Sequence, residues 1–213
     1  MAQNLVQALK AGLLLADPTV VLFMRHGQCR SNTEGLWSGY SDERDVLTPT
    51  GICQSKQAAA WLRDTFPTRN WRVHTSTLTR AVETGQIVNQ VLQGVLMEPD
   101  SRITEYPGER VESLTSLADR LRAFRDERSQ DDFKGNTGTL VVTHGFVLEF
   151  MLASGLGLER PTVVHKSDLH AGTRGLTTHA NGGISAFGGP ALCDLVMWNS
   201  HAHLITSDLS EAV

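Results

Sequence analysis

The sequence has little that would favour a membrane, a nucleic acid or a disulfide framework. It has no apolar run of about 18 residues, the length that spans a bilayer, so we expect no transmembrane helix. Its net charge of −4 provides no basic field for nucleic acid. The three cysteines, Cys29, Cys53 and Cys193, lack metal-ligand spacing. These absences predict a protein of the reducing cytoplasm with a small-molecule partner.

The length and composition predict one domain. With 213 residues, 40% of them hydrophobic, the chain can bury a single sizeable core, so we assign residues 1–213 to one domain. Leu5, Leu9 and Leu13 recur at helical spacing, which predicts an N-terminal helical extension over residues 1–18 rather than a signal peptide. The sequence does not predict the oligomeric state.

Two apolar runs end in a similar way. The run over residues 20–24 is typical of a buried strand and stops at Arg25 and His26, and the run over residues 138–143 stops at His144. Because open α/β sheets gather their ligand sites at the carboxyl ends of strands, we expect both imidazoles in one crevice. A guanidinium next to a fixed imidazole suits an anion such as a phosphoryl group.

The remaining elements predict the fold class. A strand over about residues 71–75 leads into hydroxyl residues and Arg80 at the start of a helix, a favourable place for an anion. Residues 183–187 and 192–198 are typical of a closing hairpin around a Gly-Gly-Pro turn. We therefore predict an α/β fold: a three-layer αβα sandwich with a mostly parallel central sheet and an antiparallel edge strand.

Three motifs occur in a fixed order along the chain. They are Arg-His-Gly at residues 25–27 with Asn32 seven residues after the arginine, Ser-Thr-Leu-Thr-Arg-Ala-Val-Glu-Thr at residues 76–84, and Thr-His-Gly at residues 143–145. Together they resemble the histidine phosphatase superfamily, in the branch that includes phosphoglycerate mutases and related phosphatases. Further segments that resemble the family are Leu47 to Gln54, Glu112 to Leu114 with Arg120, and Trp198 to Leu204.

The resemblance implies a role for each motif residue. His26 would be the nucleophile that forms a phosphohistidine, which water then hydrolyses. Arg25 and Arg80 would hold the non-bridging oxygens and lower the pKa of His26, and His144 would stabilise charge on the transferring group. Alternatively, the two histidines are buried and bonded to backbone, and Asn32 caps its loop. The implied uncharged phosphate-binding positions are Asn32, Ser38, Gly39 and Gly145.

The general acid is the least determined position. Glu105 matches the family's Leu-x-Glu motif as Ile-Thr-Glu at residues 103–105, which implies that it protonates the leaving group. The insert over about residues 99–112 is shorter than the family pattern, so Glu109 is an alternative acid and Glu105 is then a surface carboxylate. The short insert also predicts a cap that leaves the pocket open.

The implied function is a metal-independent phosphohydrolase of small phosphomonoesters that needs no cofactor. Mutase-type phosphoryl transfer is the nearest alternative, but a mutase must exclude water, and the short insert and the small polar tail after residue 206 disfavour this. Hydrolysis of phosphohistidine or phosphoprotein and non-enzymatic binding of a phosphorylated partner stay open. A metallophosphatase that uses scattered histidines is a third class, which a chelator would inhibit. The natural substrate and the role of residues 163–179 are not predicted.

Overall fold

The computed structural model describes residues 20–35, 44–93, 96–108, 110–129, 137–155, 181–188 and 194–200. No helix within these ranges is both long enough and apolar enough to cross a membrane. Several predictions made above lie outside the described residues: the helix over 1–18, the phosphate-binding positions Ser38 and Gly39, the alternative acid Glu109, and the 163–179 stretch.

The described strands form one six-stranded sheet, and its order along the sheet is β3-β2-β4-β1-β5-β6. Strands β1 to β4 pair in parallel, and β5 pairs antiparallel with both β1 and β6, so β5 alone among the described strands runs in the opposite direction. The predicted antiparallel strand therefore lies one position inside the edge, because β5 pairs with β1 and β6 then covers β5. The strands are β1 (Val21–Arg25), β2 (Asn70–Thr75), β3 (Leu96–Pro99), β4 (Thr137–Thr143), β5 (Ile184–Gly188) and β6 (Asp194–Ser200).

Helices cover both faces of the sheet, which confirms the predicted three-layer αβα class. Along β1, Leu22 and Met24 face one hydrophobic cluster, while Val21 and Phe23 face the other. This alternation follows from the two-residue period of a strand that is buried on both sides. The helices are α1 (Arg30–Thr33), α2 (Pro49–Thr65), α3 (Thr79–Leu92), α4 (Leu114–Ser129) and α5 (Gly145–Gly155), with a 3₁₀ turn at Ser101–Ile103.

The two clusters separate the helices by face. Helices α2 and α3 contribute Leu62 and Val88 to the cluster that contains Leu22. Helices α4 and α5 contribute Phe124 and Leu148 to the opposite cluster. Each helix therefore buries one apolar stripe against the sheet, as an amphipathic helix of a layered domain does.

The start of α2 is held tightly against the segment that follows β1. The Thr48 hydroxyl accepts a hydrogen bond from the backbone N–H of Gly51 at 3.1 Å and so caps the helix. A Cβ atom on Gly27 would lie 2.4 Å from the Gly51 carbonyl oxygen, and one on Gly51 would lie 2.0 Å from that of Gln28. Only glycine allows this approach, which fixes the path of the chain just beyond the first strand.

The strand register brings three strand ends together. Arg25 of β1 pairs with Thr143 of β4, and Thr75 of β2 pairs with Val142. Since these three strands are parallel neighbours, the residues that follow them emerge at the same edge of the sheet. Those residues are His26, Ser76 and His144.

Candidate active site

The structure brings the two predicted histidines together. The ring centroids of His26 and His144 are 5.1 Å apart, and the ring planes are tilted by 58°. Both side chains are buried, with exposed fractions of 2% and 0%. The convergence expected from two strands that both end in His-Gly is therefore confirmed.

Hydrogen bonds define the tautomer of His26. Its Nδ1 lies 2.7 Å from the carbonyl oxygen of Gly27, which can only accept, so Nδ1 carries the hydrogen. The Nε of Arg80 donates to Nε2 of His26 at 3.2 Å, so Nε2 carries the lone pair. His26 is thus a neutral imidazole whose Nε2 is available as a nucleophile.

Burial and positive charge both keep His26 neutral. Burial lowers the pKa of His26 well below its usual value, and the nearby guanidinium groups of Arg80 and Arg25 lower it further. The Gly27 carbonyl opposes them to a smaller extent. The electrostatics therefore favour the unprotonated form that nucleophilic attack requires.

Arg25 and Arg80 supply two positive charges beside the imidazoles. Burial lowers the pKa of Arg25, with a further contribution from Arg80, while the carboxylates of Glu105 and Glu149 act in the opposite direction. A Cβ atom on Gly145 would lie 3.4 Å from the Arg25 guanidinium carbon, so this glycine packs against the arginine. Neighbouring guanidiniums repel one another, and an anion between them would relieve that repulsion.

The second imidazole is held by a hydroxyl. The Nε2 of His144 lies 2.7 Å from the Oγ of Ser76, and this oxygen also accepts the backbone N–H of Leu78 at 3.2 Å. Ser76 Oγ also donates to the Thr104 hydroxyl at 3.5 Å. The buried Nδ1 of His144 has no hydrogen-bond partner within the described part of the chain.

Glu105 lies in the same electrostatic environment. Its side chain is half-buried, and burial raises its pKa. The Tyr106 backbone N–H, which donates to Oε1 at 3.0 Å, and the charges of Arg80 and Arg25 oppose this increase. A carboxyl group with a raised pKa keeps its proton to higher pH, as a general acid must.

A buried carboxylate that the sequence analysis missed holds Arg80. Asp45 Oδ2 lies 3.1 Å from Nη1 of Arg80, and both side chains are about 5% exposed or less. The same carboxylate accepts hydrogen bonds from the Ser31 backbone at 2.9 Å and from its hydroxyl at 3.0 Å. Asp45 thereby orients the guanidinium with respect to His26. Asp45 lies two residues before Leu47, where a segment that resembles the family begins, and this position was the sequence signal that could have identified it.

Asn32 caps its own short helix, as one of the alternatives states. Its Oδ1 accepts a hydrogen bond from the Cys29 backbone N–H at 3.1 Å and a second from Nδ2 of Asn181 at 3.0 Å. These contacts occupy the amide oxygen and leave the amide nitrogen as the remaining donor. Capping therefore uses the amide oxygen and is compatible with the predicted contact of the amide nitrogen with phosphate.

Two further residues connect the site to its supports. Thr84 accepts a hydrogen bond from the Gly27 backbone at 3.0 Å and donates one to the Arg80 carbonyl at 2.8 Å, which links the end of β1 to α3. Asn181 donates to the backbone carbonyl of His26 at 3.1 Å. Thr84 belongs to the motif at residues 76–84, but the sequence predicted no role for it. For Asn181 the sequence signal was the Asn-Gly pair that it forms with Gly182, which is typical of a turn.

The described residues gather donors around the lone pair of His26 Nε2. Two guanidiniums, a second imidazole and one amide could bind phosphoryl oxygens, while Glu105 is the candidate proton donor. No three His, Cys, Asp or Glu side chains among the described residues are grouped so that they could hold a metal ion.

Comparison with known proteins agrees with this arrangement. The model of the histidine phosphatase superfamily (branch 1) matches residues 21–115. No curated protein sequence matches the chain.

Solved structures share the fold at low sequence identity. A phosphoserine phosphatase from Entamoeba histolytica, solved with 3-phosphoglyceric acid, is 21% identical with a TM-score of 0.65 and covers 87% of this chain and 99% of its own. A mycobacterial glucosyl-3-phosphoglycerate phosphatase is 21% identical with a TM-score of 0.64, covering 85% and 99%. A phosphoglycerate mutase from Bacillus anthracis is 15% identical with a TM-score of 0.62, covering 87% and 94%. The chain is therefore similar to the histidine phosphatase superfamily over residues 21–115 and shares its fold with these solved structures.

Proposed function

We propose that this protein is a metal-independent phosphatase that hydrolyses small phosphomonoesters through a phosphohistidine on His26. The observation that carries the proposal is the neutral tautomer of His26, with its Nε2 lone pair held 3.2 Å from Nε of Arg80 and a second imidazole beside it. The match of residues 21–115 to the model of the histidine phosphatase superfamily supports the phosphatase class. Phosphatases for phosphoserine and glucosyl-3-phosphoglycerate among the structural neighbours support a small phosphorylated substrate.

Substrate binding would exchange one partner of Arg80 for another. In the structure, Nε of Arg80 donates to the lone pair of His26. A phosphoryl group between Arg25 and Arg80 would accept the guanidinium hydrogens, so the lone pair would become free for attack. His144, through its imidazole, and Asn32, through its amide, would donate to the remaining oxygens.

The reaction would then proceed in two displacements. Nε2 of His26 forms a bond to phosphorus while the bond from phosphorus to the leaving oxygen breaks, and Glu105 gives its proton to that oxygen. In the second step water attacks phosphorus, the Glu105 carboxylate takes a proton from the water, and the N–P bond breaks. Inorganic phosphate and neutral His26 result, so no proton or electron is left over.

The proposal is tested by turnover of p-nitrophenyl phosphate in excess chelator. We expect activity in chelator, a loss of more than about 10⁴-fold in kcat for His26→Ala, and an acid-labile phosphoryl group on the wild-type protein after a rapid quench. His74→Ala is the matched control, since it removes an equally buried histidine away from the site. Retained turnover in His26→Ala would overturn the nucleophile assignment.

The same measurements separate the alternatives. Inhibition by chelator would indicate a metallophosphatase, and phosphate-sensitive binding without turnover would indicate a phospho-ligand binder. Rapid isomerisation of 3-phosphoglycerate with 2,3-bisphosphoglycerate, while simple phosphoesters survive, would indicate a mutase. Turnover of phosphohistidine peptides in preference to metabolites would indicate a protein phosphatase.

A further inference from the structure

One side chain from the far end of the chain joins the nucleophile to the loop that follows it. Asn181 lies just before β5, and its amide nitrogen donates to two acceptors. One is the carbonyl oxygen of His26 at 3.1 Å, and the other is Oδ1 of Asn32 at 3.0 Å. An amide NH₂ group has two hydrogens, so both are used. No other common side chain of this length supplies two hydrogens from one neutral atom.

The contact determines how Asn32 is presented. The backbone N–H of Cys29 can only donate, so the atom of Asn32 that it meets at 3.1 Å must be the oxygen. The Cys29 thiol donates to that oxygen at 3.2 Å, and Asn181 adds a donor from the far end of the chain. Because the amide group is planar, holding its oxygen on donors from two segments fixes where its NH₂ group lies. That NH₂ group is the donor assigned above to the phosphoryl oxygen.

We propose that Asn181 is a positioning residue of the phosphoryl site, which sets the Asn32 amide in a fixed place relative to His26. The proposal rests on the proposed function, since it takes Asn32 as a phosphate donor. It adds a residue from the antiparallel side of the sheet to a site whose motif residues all come from the parallel side and its connections.

The backbone near Asn181 is held independently of its side chain. The N–H of Gly182 donates to the Arg25 carbonyl at 3.1 Å, and the Arg25 N–H donates to the Gly183 carbonyl at 3.1 Å. Gly182 has a φ of +71°, a conformation that glycine adopts without strain. Replacing the Asn181 side chain therefore leaves the turn in place, so its effect on catalysis can be measured in a folded protein.

The test is a double-mutant cycle on kcat/KM for p-nitrophenyl phosphate. We expect Asn181→Ala to lower kcat/KM about tenfold by misplacing a phosphate donor, and Asn181→Asp to lower it further because its carboxylate faces two acceptors. In the Asn32→Ala background, Asn181→Ala should lower kcat/KM by less than about twofold, since the group it positions is gone. Equal losses in both backgrounds would overturn the proposal.

Controls separate positioning from stability and charge. Asn70→Asp adds the same charge at the exposed, opposite end of β2 and should leave kcat/KM within about twofold of wild type. Thermal unfolding of each variant shows whether it folds. If Asn181→Ala does not fold, Asn181→Ser replaces it in the double-mutant cycle. If His26→Ala lacks activity but Asn181→Ala and Asn181→Asp equal wild type, the positioning role fails while the proposed function stands. If His26→Ala remains active, the proposed function fails first.

Discussion

Two buried histidines of this protein each accept a hydrogen bond from an arginine, and only one of them belongs to the site. At the sheet edge, Arg80 donates to Nε2 of His26 at 3.2 Å. Near the end of α4, Nη1 of Arg128 lies 3.0 Å from Nε2 of His74. The Nδ1 of His74 lies 3.3 Å from a carboxylate oxygen of Glu98. Burial and the Arg128 charge lower the pKa of His74 to about 4, so its contact with Glu98 is a hydrogen bond of a neutral ring.

The difference lies in the groups that surround each pair. Both arginines have a carboxylate partner, since Arg80 pairs with Asp45 and Arg128 pairs with Glu127. His26 lies at the carboxyl ends of the strands with the ring centroid of His144 5.1 Å away, whereas the ring of Phe124 packs against His74 with centroids 6.0 Å apart. The second imidazole, rather than an unbalanced charge, therefore distinguishes the candidate site from the structural pair.

The comparison is tested most strongly by removing a second imidazole at the site. His144→Ala should lower kcat/KM for p-nitrophenyl phosphate by about 10² to 10³-fold, because a preorganised donor to the transferring group is lost. His74→Gln should change it by less than about twofold, as expected for a residue that touches no substrate. Steady-state kinetics of the two purified variants decide between these outcomes. A comparable loss in both would mean that His144 acts through the fold alone.

Asp45→Asn should show that Arg80 depends on a counter-ion. Leaving this buried guanidinium without its carboxylate should lower the free energy of unfolding by about 3 kcal/mol. Inorganic phosphate should restore more stability to this variant than to wild type, because it supplies the missing negative charge. Glu98→Gln is the control, since Glu98 is 46% exposed and should cost less than about 1 kcal/mol. Denaturant unfolding with and without inorganic phosphate measures both free energies of unfolding. A variant whose stability phosphate does not raise more than that of wild type would contradict the prediction.

Glu105→Gln should separate proton donation from phosphoryl binding. With an alkyl phosphomonoester we expect about a 10²-fold loss of kcat, while p-nitrophenyl phosphate, whose phenolate leaves without a proton, should lose less than about tenfold. Since burial raises the pKa of Glu105, wild-type turnover of the alkyl ester should fall as pH rises through that raised pKa. The pH profile of the variant should lack this limb. Equal losses on both substrates would assign Glu105 to binding.

His74→Gln should affect only the pH dependence of stability. The folded pKa of about 4 is below the unfolded value of 6.5, so the folded protein binds fewer protons and loses stability as pH falls between those values. Between pH 7 and about 4.5, wild type should lose about 2 kcal/mol more than the variant. Denaturant unfolding at both pH values measures this difference. The other buried histidines contribute equally to both proteins, so identical slopes would contradict the pKa of His74.

Local patterns predicted most of the fold. The apolar run at residues 20–24 and the matching run before His144 were identified as strands because both faces of a central strand must be buried. The place of the antiparallel strand was less well predicted. Whether β5 or β6 takes the edge depends on which strand pairs with β1, and that pairing joins segments that are distant in the chain.

The candidate site was predicted in part. His26, Arg25, Arg80, His144 and Glu105 could be named because they belong to recognisable motifs, and the structure brings them together. Their catalytic roles stay predictions. Asp45 and Asn181 were missed because each is an ordinary loop residue until the fold places it against Arg80 or Asn32.

The sequence by itself determined the alternation of strands and helices and which side chains are candidates for the reaction. Both depend on residues that are close in the chain: apolar periodicity in one case, and short motifs at strand ends in the other. The tertiary structure alone decided which nitrogen of His26 carries the hydrogen, which carboxylate holds Arg80, and which amide orients Asn32. Those choices are hydrogen bonds between distant segments, and such pairings exist only once the sheet has assembled and excluded water.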